Sequence, residues 1–409
     1  MTFTELGLAA PILSALAAKG YDTPTPIQIA AIPHVMAGSD LLGLAQTGTG
    51  KTAAFALPVL HRFLAKPRKA EPKTARALVL APTRELAAQI AASFQNYSKG
   101  MRLRVAVVFG GVPINRQMRA MDPGVDVLVA TPGRLLDLIN QRGARLDRVD
   151  TLILDEADHM LDLGFILPLK KIRAMLPKER QTLLFSATMP KEIAALAEEF
   201  LTNPVRVEAS PVASTPERVA QRVIQVSSHG AKQAELQTLL SGGDVTRALV
   251  FTRTKHGADR VVQKLYEAGI DAHAIHGNKK QNHRERALEA FRSGRTRVLV
   301  ATDIAARGID VAEISHVVQY DLPEVAETYV HRIGRTARAG HAGQAIALCA
   351  PDENSLLRAA ERLMGISVTG PRPEGDHPYQ RPKPRPRPAG STQARGPRPP
   401  QRARTYQGR

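Results

Sequence analysis

The fold is decided by one stretch near the N-terminus, Ala45-Gln46-Thr47-Gly48-Thr49-Gly50-Lys51-Thr52. It follows the short apolar run Leu41–Leu44 and precedes residues 53–64, whose apolar side chains recur with helical spacing. In a strand, glycine-rich loop and helix in this order, backbone N–H groups and the helix N-terminus cradle phosphate oxygens. We expect Lys51 to neutralise the β- and γ-phosphates and Thr52 to ligate Mg²⁺. Because the usual first glycine of such a loop is replaced by Ala45, the prediction needs support from a second, acidic site.

That acidic site is Asp155-Glu156-Ala157-Asp158, directly after the apolar run 152–154. A carboxylate at the C-terminal end of a parallel strand lies where such sheets bind ligands. We expect Asp155 to hold Mg²⁺, largely through water, and Glu156 to orient the attacking water. The alternative is an acidic helix N-terminus stabilised by the helix dipole. The phosphate loop and these carboxylates together predict an ATP-hydrolysing enzyme.

Short β-branched runs alternate with helical patterns along most of the chain, which predicts an α/β fold with parallel sheets. One set of predicted strands lies at 77–80, 105–109, 125–129, 152–154 and 182–185, and a second at 248–251, 272–275, 298–300, 317–320 and 345–348. Residues 127–131 and 298–302 have the same sequence, Val-Leu-Val-Ala-Thr. Residues 203–218, with three prolines, are predicted to be a hinge-like linker between two similar domains.

Composition indicates a polyanionic partner such as nucleic acid, with an anionic membrane surface as the weaker alternative. The 409 residues carry a net charge of +18. Residues 371–409 hold ten Lys or Arg against two acidic residues, and basic residues alternate with Pro through 381–388. Such a tail is predicted to be disordered and to bind phosphates, the alternative being a tail that only keeps the protein in solution. The one cysteine, Cys349, lies in an apolar run and is predicted to be a buried thiol.

No targeting or membrane segment is apparent in the sequence. The first residues lack a basic region, and no apolar stretch approaches the roughly 18 residues that span a bilayer. We therefore expect a cytoplasmic protein without a membrane association.

The motif series resembles the DEAD-box ATP-dependent RNA helicases from Phe3 to about Gly343. The matching residues, in chain order, are Thr25-Pro26-Ile27-Gln28, the loop 45–52, Pro82-Thr83-Arg84-Glu85-Leu86-Ala87, Gly110-Gly111, Thr131-Pro132-Gly133-Arg134, Asp155-Glu156-Ala157-Asp158, Ser186-Ala187-Thr188, Val250-Phe251-Thr252-Arg253, Gln281 and Arg284, Ala301-Thr302-Asp303, Arg307-Gly308-Ile309-Asp310, and residues 331–338. Alanine at position 45 is usual in this family. The sequence of residues 275–279 resembles that of the RhlE-like bacterial branch of the family.

The resemblance implies two tandem RecA-like domains at residues 1–207 and 219–369, joined by a linker at 208–218 and followed by the tail at 370–409. It also implies ATP and Mg²⁺ as ligands. In the nucleotide site it assigns Lys51, Asp155, Glu156 and the arginine fingers Arg335 and Arg338 to catalysis. It gives nucleotide contacts to Phe3, Gln28, Ala45, Gln46, Thr47, Gly48, Thr49, Gly50, Lys51, Thr52 and Asp310.

Two of these nucleotide contacts carry a chemical argument. The Gln28 carboxamide can both donate and accept, which matches the adenine edge and predicts ATP over GTP. By resemblance, Phe3 stacks on adenine; the alternative is a hydrophobic staple before the helix that includes residues 12–17.

The resemblance further assigns Asp158, Ser186 and Thr188 to coupling between the nucleotide and RNA sites. It assigns RNA contacts to Thr83, Arg84, Gly111, Thr131 and Arg134 on one domain, and to Arg253, Gln281, Arg284, Thr302 and Arg307 on the other. Because RNA contacts in the family go mainly to phosphates and 2′-hydroxyls, the protein is expected to read RNA shape with little sequence preference.

The leading hypothesis is an RNA helicase that separates short duplexes locally and works as a monomer. An ATP-dependent RNA clamp or scaffold would have the same motifs, and a DNA translocase is a third option. The sequence indicates neither the RNA substrate nor ribosomal or RNA-decay protein partners. His159 and His276 lack Cys or His partners at metal-ligand spacing and are interpreted as ordinary hydrogen-bonded histidines.

Overall fold

Parallel strands form two separate sheets in the computed structural model, which describes residues 1–46, 48–208, 219–306, 311, 313–337 and 343–368. The first sheet has seven strands in the order β3-β4-β2-β5-β6-β1-β7. The strands are β1 Leu41–Leu44, β2 Ala75–Leu80, β3 Val105–Val108, β4 Val125–Ala130, β5 Thr151–Leu154, β6 Gln181–Ser186 and β7 Val205–Glu208. The helices around it are α1 Ala10–Ala17, α2 Pro26–Met36, α3 Lys51–Ala65, α4 Arg84–Tyr97, α5 Ile114–Met121, α6 Pro132–Asn140, α7 Ala157–Asp162, α8 Ile166–Ala174 and α9 Lys191–Phe200.

The second sheet has six strands in the order β10-β11-β9-β12-β13-β8. Its strands are β8 Val219–Gln225, β9 Ala248–Phe251, β10 Ala272–Ile275, β11 Val298–Ala301, β12 His316–Gln319 and β13 Gly343–Cys349. The accompanying helices are α10 Lys232–Ser241, α11 Lys255–Glu267, α12 Gln281–Arg292, α13 Asp303–Ala306, α14 Ala326–Ile333 and α15 Asn354–Met364, with a 3₁₀ turn at Pro351–Glu353. The predicted α/β fold with two tandem RecA-like parallel sheets is confirmed.

Both faces of each sheet are covered, which explains the continuous apolar runs of the central strands. In β2, Val79 faces one apolar cluster together with Phe55 and Phe94, whereas Leu78 and Leu80 face the other. The second sheet repeats the alternation at Val250 and Phe251. Cys349 is completely buried in this second domain, as the sequence predicts.

Two edge strands are absent from the sequence prediction. Val205–Glu208 pairs with β1 in parallel, so the first sheet extends into the predicted 203–218 linker. Val219–Gln225 pairs with β13. Each is a half-exposed edge strand with polar residues between its valines, and it therefore lacks the apolar run that marks a central strand.

The topology places the predicted site at one edge of the first sheet. Since all its strands are parallel, their carboxyl ends at Leu44, Leu80, Ala130, Leu154 and Ser186 meet at the same edge. Residues 209–218 of the predicted linker 208–218, and the whole predicted tail 370–409, lie outside the described residues. None of the helices in the described part of the chain is long and apolar enough to cross a membrane.

Candidate active site

The phosphate loop leads from β1 into the first turn of α3, as predicted. The N–H of Ala45 donates to the carbonyl of Ser186 at 3.0 Å, which fixes the start of the loop on the neighbouring strand. Gly50 has φ 92°, a left-handed conformation that favours glycine, and it precedes the helix start at Lys51. Thr47 lies outside the described residues.

The environment of the Lys51 ammonium group suits the binding of an anion. Its side chain is only 6% exposed, and Nζ has no hydrogen-bond partner among the described residues. The nearest carboxylate oxygen, Oδ1 of Asp155, lies 4.0 Å from Nζ. Because a buried ammonium without hydrogen bonds is costly, a phosphate oxygen at the helix N-terminus would satisfy it.

Two carboxylates face this lysine from the end of β5. Asp155 is 2% exposed, and burial raises its pKa to about 6. Burial also opposes the charge of Glu156, but the hydrogen bond with His159 and the fields of Lys51 and Arg335 outweigh it and lower the Glu156 pKa. Glu156 has φ 53° and ψ 56°, a left-handed backbone that costs a non-glycine residue about 1–3 kcal/mol. Its Oε2 lies 3.3 Å from Nδ1 of His159, so His159 is a hydrogen-bonded histidine as predicted.

Gln28 joins the helix α2 N-terminus to the phosphate loop. Its Oε1 accepts from the N–H of Thr25 at 2.9 Å, and its Nε2 donates to the carbonyl of Gly50 at 3.1 Å. A Cβ on Gly50 would lie 2.4 Å from Nε2, so the close approach requires glycine. Each polar atom of the carboxamide keeps capacity for one more hydrogen bond, which is what adenine would need.

Phe3 is part of the apolar core of the first domain. Its residue is 5% exposed and packs in the same cluster as Ile12 and Ile27. Phe3 therefore has a packing role, and its stacking on adenine stays a prediction. A hydrophobic staple is not the explanation, since the residue before the α1 N-cap Ala9 is Leu8.

Asp158 connects the acidic site to the end of β6. Its Oδ2 accepts from the N–H groups of Ala187 and Thr188 and from the Thr188 hydroxyl, each at 3.1 Å. The Ser186 hydroxyl donates to the carbonyl of Thr188 at 2.8 Å. The three residues predicted to couple the two sites are therefore in one hydrogen-bond network.

The first-domain residues predicted to contact RNA lie on neighbouring loops. Thr83 is the N-cap of α4 and accepts from the N–H of Leu86 at 3.2 Å, while Thr131 precedes α6. The guanidinium of Arg84 packs on Gly111, where a Cβ would lie 2.0 Å from Nη1.

Arg134 reaches the same glycine loop from α6. Its Nη1 donates to the carbonyl of Val112 at 2.8 Å and to Oε1 of Gln117 at 3.1 Å. Gln117 in turn donates to the carbonyl of Phe109 at 2.9 Å. The buried Gln117, which the sequence analysis does not single out, therefore orders the loop at 109–112.

Part of the second-domain set contacts the first domain directly. Arg284 approaches Glu85 with two contacts, Nε to Oε1 at 2.9 Å and Nη2 to Oε2 at 2.8 Å, and their side chains are only 8% and 4% exposed. Nη1 of Arg84 donates to Oε1 of Gln281 at 3.3 Å. Glu85 is a site residue that the sequence analysis missed, because its partner lies 199 positions away.

The remaining second-domain residues lie on neighbouring loops. Arg253 donates from Nη2 to the carbonyl of Leu322 at 3.2 Å and lies 3.4 Å from Oε1 of Glu353. Thr302 follows β11, where its carbonyl accepts from the N–H of Ala305. Arg307, Asp310 and Arg338 lie outside the described residues.

Arg335, in the second domain, influences the charge of Glu156 in the acidic site. It is nearly buried, and its charge is one of those that lower the pKa of Glu156. An arginine of the second domain thus acts electrostatically on a carboxylate of the first, and its role as an arginine finger stays a prediction.

The metal-like cluster found elsewhere among the described residues is occupied by a protein cation. His229, Asp321 and Glu353 have ligand spacing, but Nζ of Lys232 lies 2.5 Å from Glu353 and 3.8 Å from Asp321. His276 is hydrogen-bonded to Asp259 at 3.0 Å, as an ordinary histidine. Thr52 and the nearly buried Asp155 supply the hard oxygen atoms that Mg²⁺ prefers, so these residues fit that ion.

Comparison with known proteins identifies the family. Residues 25–196 match the family described as DEAD/DEAH box helicase, and residues 231–340 match the helicase conserved C-terminal domain. The chain is 46% identical to the RNA helicase CrhR of Synechocystis sp. over 364 residues, which cover 89% of this chain and 73% of that protein. The chain belongs to the DEAD-box ATP-dependent RNA helicases.

Other helicases of this family agree. The DEAD-box ATP-dependent RNA helicase CshA of Bacillus subtilis is 42% identical, covering 88% of this chain and 72% of the relative. The structure of S. cerevisiae Dbp5 bound to RNA and ADP BeF3 superposes with a TM-score of 0.79 at 33% identity, over 89% of this chain and 93% of that one. Membership of the RhlE-like branch stays a prediction.

Proposed function

We propose that this DEAD-box helicase binds the RNA backbone across its two domains and separates short RNA duplexes locally, using ATP hydrolysis. The observation that carries the proposal is the contact between domains: Arg284 pairs with Glu85 while Arg335 acts on Glu156. The same closure of the two domains therefore completes both the RNA-binding site and the catalytic site.

In the nucleotide site, Lys51 binds the phosphates and Glu156 orients the attacking water. The His159 hydrogen bond keeps Glu156 charged and fixes its carboxylate direction. Thr52 and Asp155 would hold Mg²⁺, which neutralises charge developing on the phosphates. Gln28 reads adenine with its remaining donor and acceptor, and loop residues Ala45, Gln46, Thr47, Gly48, Thr49 and Gly50 surround the phosphates.

Closure supplies the remaining catalytic charge. Arg335, together with Arg338, stabilises the transition state from the second domain, and such a finger contributes about 10³–10⁵ in rate. Asp310 contacts the ribose. Because Asp158 ties the acidic site to Thr188, a shift at either position is transmitted to the other.

RNA lies over the loops of both domains. Thr83, Arg84, Gly111, Thr131 and Arg134 hold one part of the strand, and Arg253, Gln281, Arg284, Thr302 and Arg307 hold the next. Contacts to phosphates and 2′-hydroxyls make the binding largely independent of sequence. We further propose that the protein acts as a cytoplasmic monomer, and that the residue 371–409 tail adds phosphate contacts.

ATP hydrolysis with and without single-stranded RNA tests the enzymatic proposal. We expect strong stimulation by RNA, weak stimulation by DNA of the same sequence, and loss of turnover in Lys51→Ala. Lys66→Ala, an exposed lysine just after the same helix, is the matched control and keeps wild-type turnover. Equal activation by DNA and RNA would indicate a DNA translocase, and no RNA stimulation would refute the proposal.

Strand displacement on a short RNA duplex separates a helicase from an ATP-dependent clamp. We expect ATP-dependent release of the labelled strand. RNA-stimulated hydrolysis without release would support the clamp.

A further inference from the structure

A groove lies at the opposite edge of the first sheet from the nucleotide. It is bordered by the C-terminal end of α3, by residues 67–70, and by the segments that lead into β2, β3 and β4. Its volume is about 760 Å³. From Lys51 to Leu64, helix α3 rises about 20 Å, so the groove is separated from the phosphate loop by most of the domain.

The rim of this groove is strongly basic. Arg68, Lys69, Arg102 and Arg104 are exposed along it. Lys69 and Arg102 have no ion pair or hydrogen bond within the part of the chain that the structure describes. Asp126, the one acidic residue in the lining, is already engaged by Nη1 of Arg76 at 3.3 Å and by the N–H of Arg104 at 2.9 Å. The rim therefore carries positive charge that the protein itself does not neutralise.

The floor of the groove is apolar. It consists of Phe63, Leu64, Met101 and Leu103, with Pro67 at the side. Leu64 and Leu103 are half-buried, which leaves aliphatic surface for a ligand. A cationic rim around an aliphatic floor complements an acidic segment with apolar side chains.

The aliphatic floor favours a peptide over RNA, since the one aromatic ring in the lining is not available for base stacking. The guanidinium of Arg76 lies over Phe63, with Cζ 3.9 Å from the ring centroid, and Phe63 is buried. Sites that bind single-stranded nucleic acids by base stacking need exposed aromatic rings. With its ring covered, this groove lacks that platform.

We propose that the groove is a docking site for an acidic peptide segment of a partner protein. Its Asp and Glu side chains pair with Lys69 and Arg102, and a Leu or Phe side chain packs on Leu64 and Leu103. Because the groove faces away from the loops that carry the RNA and nucleotide residues, the partner binds at the same time as RNA.

Fluorescence anisotropy tests the proposal with a labelled synthetic peptide in which Asp and Glu flank Leu and Phe. We expect saturable, salt-sensitive binding that weakens about tenfold or more in the double variant Lys69→Glu/Arg102→Glu. Leu103→Ser should also weaken it, which separates the apolar floor from charge alone. The control variant Lys171→Glu/Lys178→Glu reverses two exposed lysines of the same domain outside the groove and keeps wild-type affinity.

RNA-stimulated ATP hydrolysis should be unchanged in all three variants, the two in the groove and the control, because none of the substituted residues belongs to the nucleotide or RNA loops. Unlabelled single-stranded RNA should not displace the peptide. The proposal is overturned if no saturable peptide binding occurs, if the groove and control variants lose affinity equally, or if RNA displaces the peptide in wild type but not in the groove variant. The last outcome would make the groove an RNA site.

Discussion

The pair between Glu85 and Arg284 offers a direct perturbation of domain closure. The variant Glu85→Gln keeps the size of the side chain and removes its charge. Arg284 then loses two charge-assisted contacts of 2.9 and 2.8 Å in a nearly buried position. Since a hydrogen bond between charged groups contributes about 1.5–3 kcal/mol, we expect closure to weaken by about 2 kcal/mol, or roughly 30-fold.

The assay is ATP hydrolysis as a function of RNA concentration. In Glu85→Gln, the RNA concentration that gives half-maximal activation should rise roughly 30-fold, because binding energy from RNA must replace the lost contact. ATP binding without RNA should not change, since Glu85 does not contact the phosphate loop. The control Glu192→Gln changes an exposed glutamate at the start of α9 and should behave as wild type.

A double-mutant cycle isolates the pair from other effects. Arg284→Gln loses the proposed RNA contact as well as the Glu85 contact, so it should be the more severe single variant. Adding Glu85→Gln to Arg284→Gln should then cost little more. Full additivity of the two effects, or unchanged RNA activation in Glu85→Gln, would refute the assignment of this pair to closure.

Three further predictions concern buried groups. Asp155 is neutral below its pKa of about 6 and charged above it, so the rate of hydrolysis should fall as the pH decreases through about 6. A higher Mg²⁺ concentration should shift this fall in rate to lower pH. A pH dependence that does not respond to Mg²⁺ would contradict the role of Asp155 as a ligand. Burial raises the pKa of Cys349 to about 11, so the native thiol should resist a disulfide reagent at neutral pH and react fully after unfolding in guanidinium, whereas rapid native labelling would disagree. Glu353→Gln leaves the fully buried Lys232 without its main carboxylate, so it should lower the free energy of unfolding in urea by about 3–5 kcal/mol. The exposed control Glu235→Gln should lower it by less than about 0.5 kcal/mol.

Sequence reasoning succeeds where a local pattern has a local cause. The central strands are apolar because both sheet faces are covered, and the phosphate loop needs Gly50 in a left-handed conformation, so both leave clear signals. Val205–Glu208 and Val219–Gln225 leave weak signals because an edge strand buries only part of its side chains. The assumed linker therefore begins later than the prolines suggest.

Pairings between distant segments could not be predicted from spacing. Glu85 reads as an acidic first-turn residue that suits the helix dipole, and only the fold shows its contact with Arg284. Gln117 reads as a polar surface residue of α5, yet it is buried and holds the glycine loop for Arg134. Phe3 fits the family pattern, and only the fold shows that it packs in the core with Ile12 and Ile27.

The central claim is that domain closure brings Arg335 to the ATP held at Lys51 and Glu156. Single-turnover hydrolysis by Arg335→Ala at saturating ATP and RNA tests it most directly, with the exposed Arg292→Ala as control. We predict that the RNA-stimulated rate falls by about 10³ or more while ATP affinity is retained. A rate within about tenfold of wild type would contradict the account.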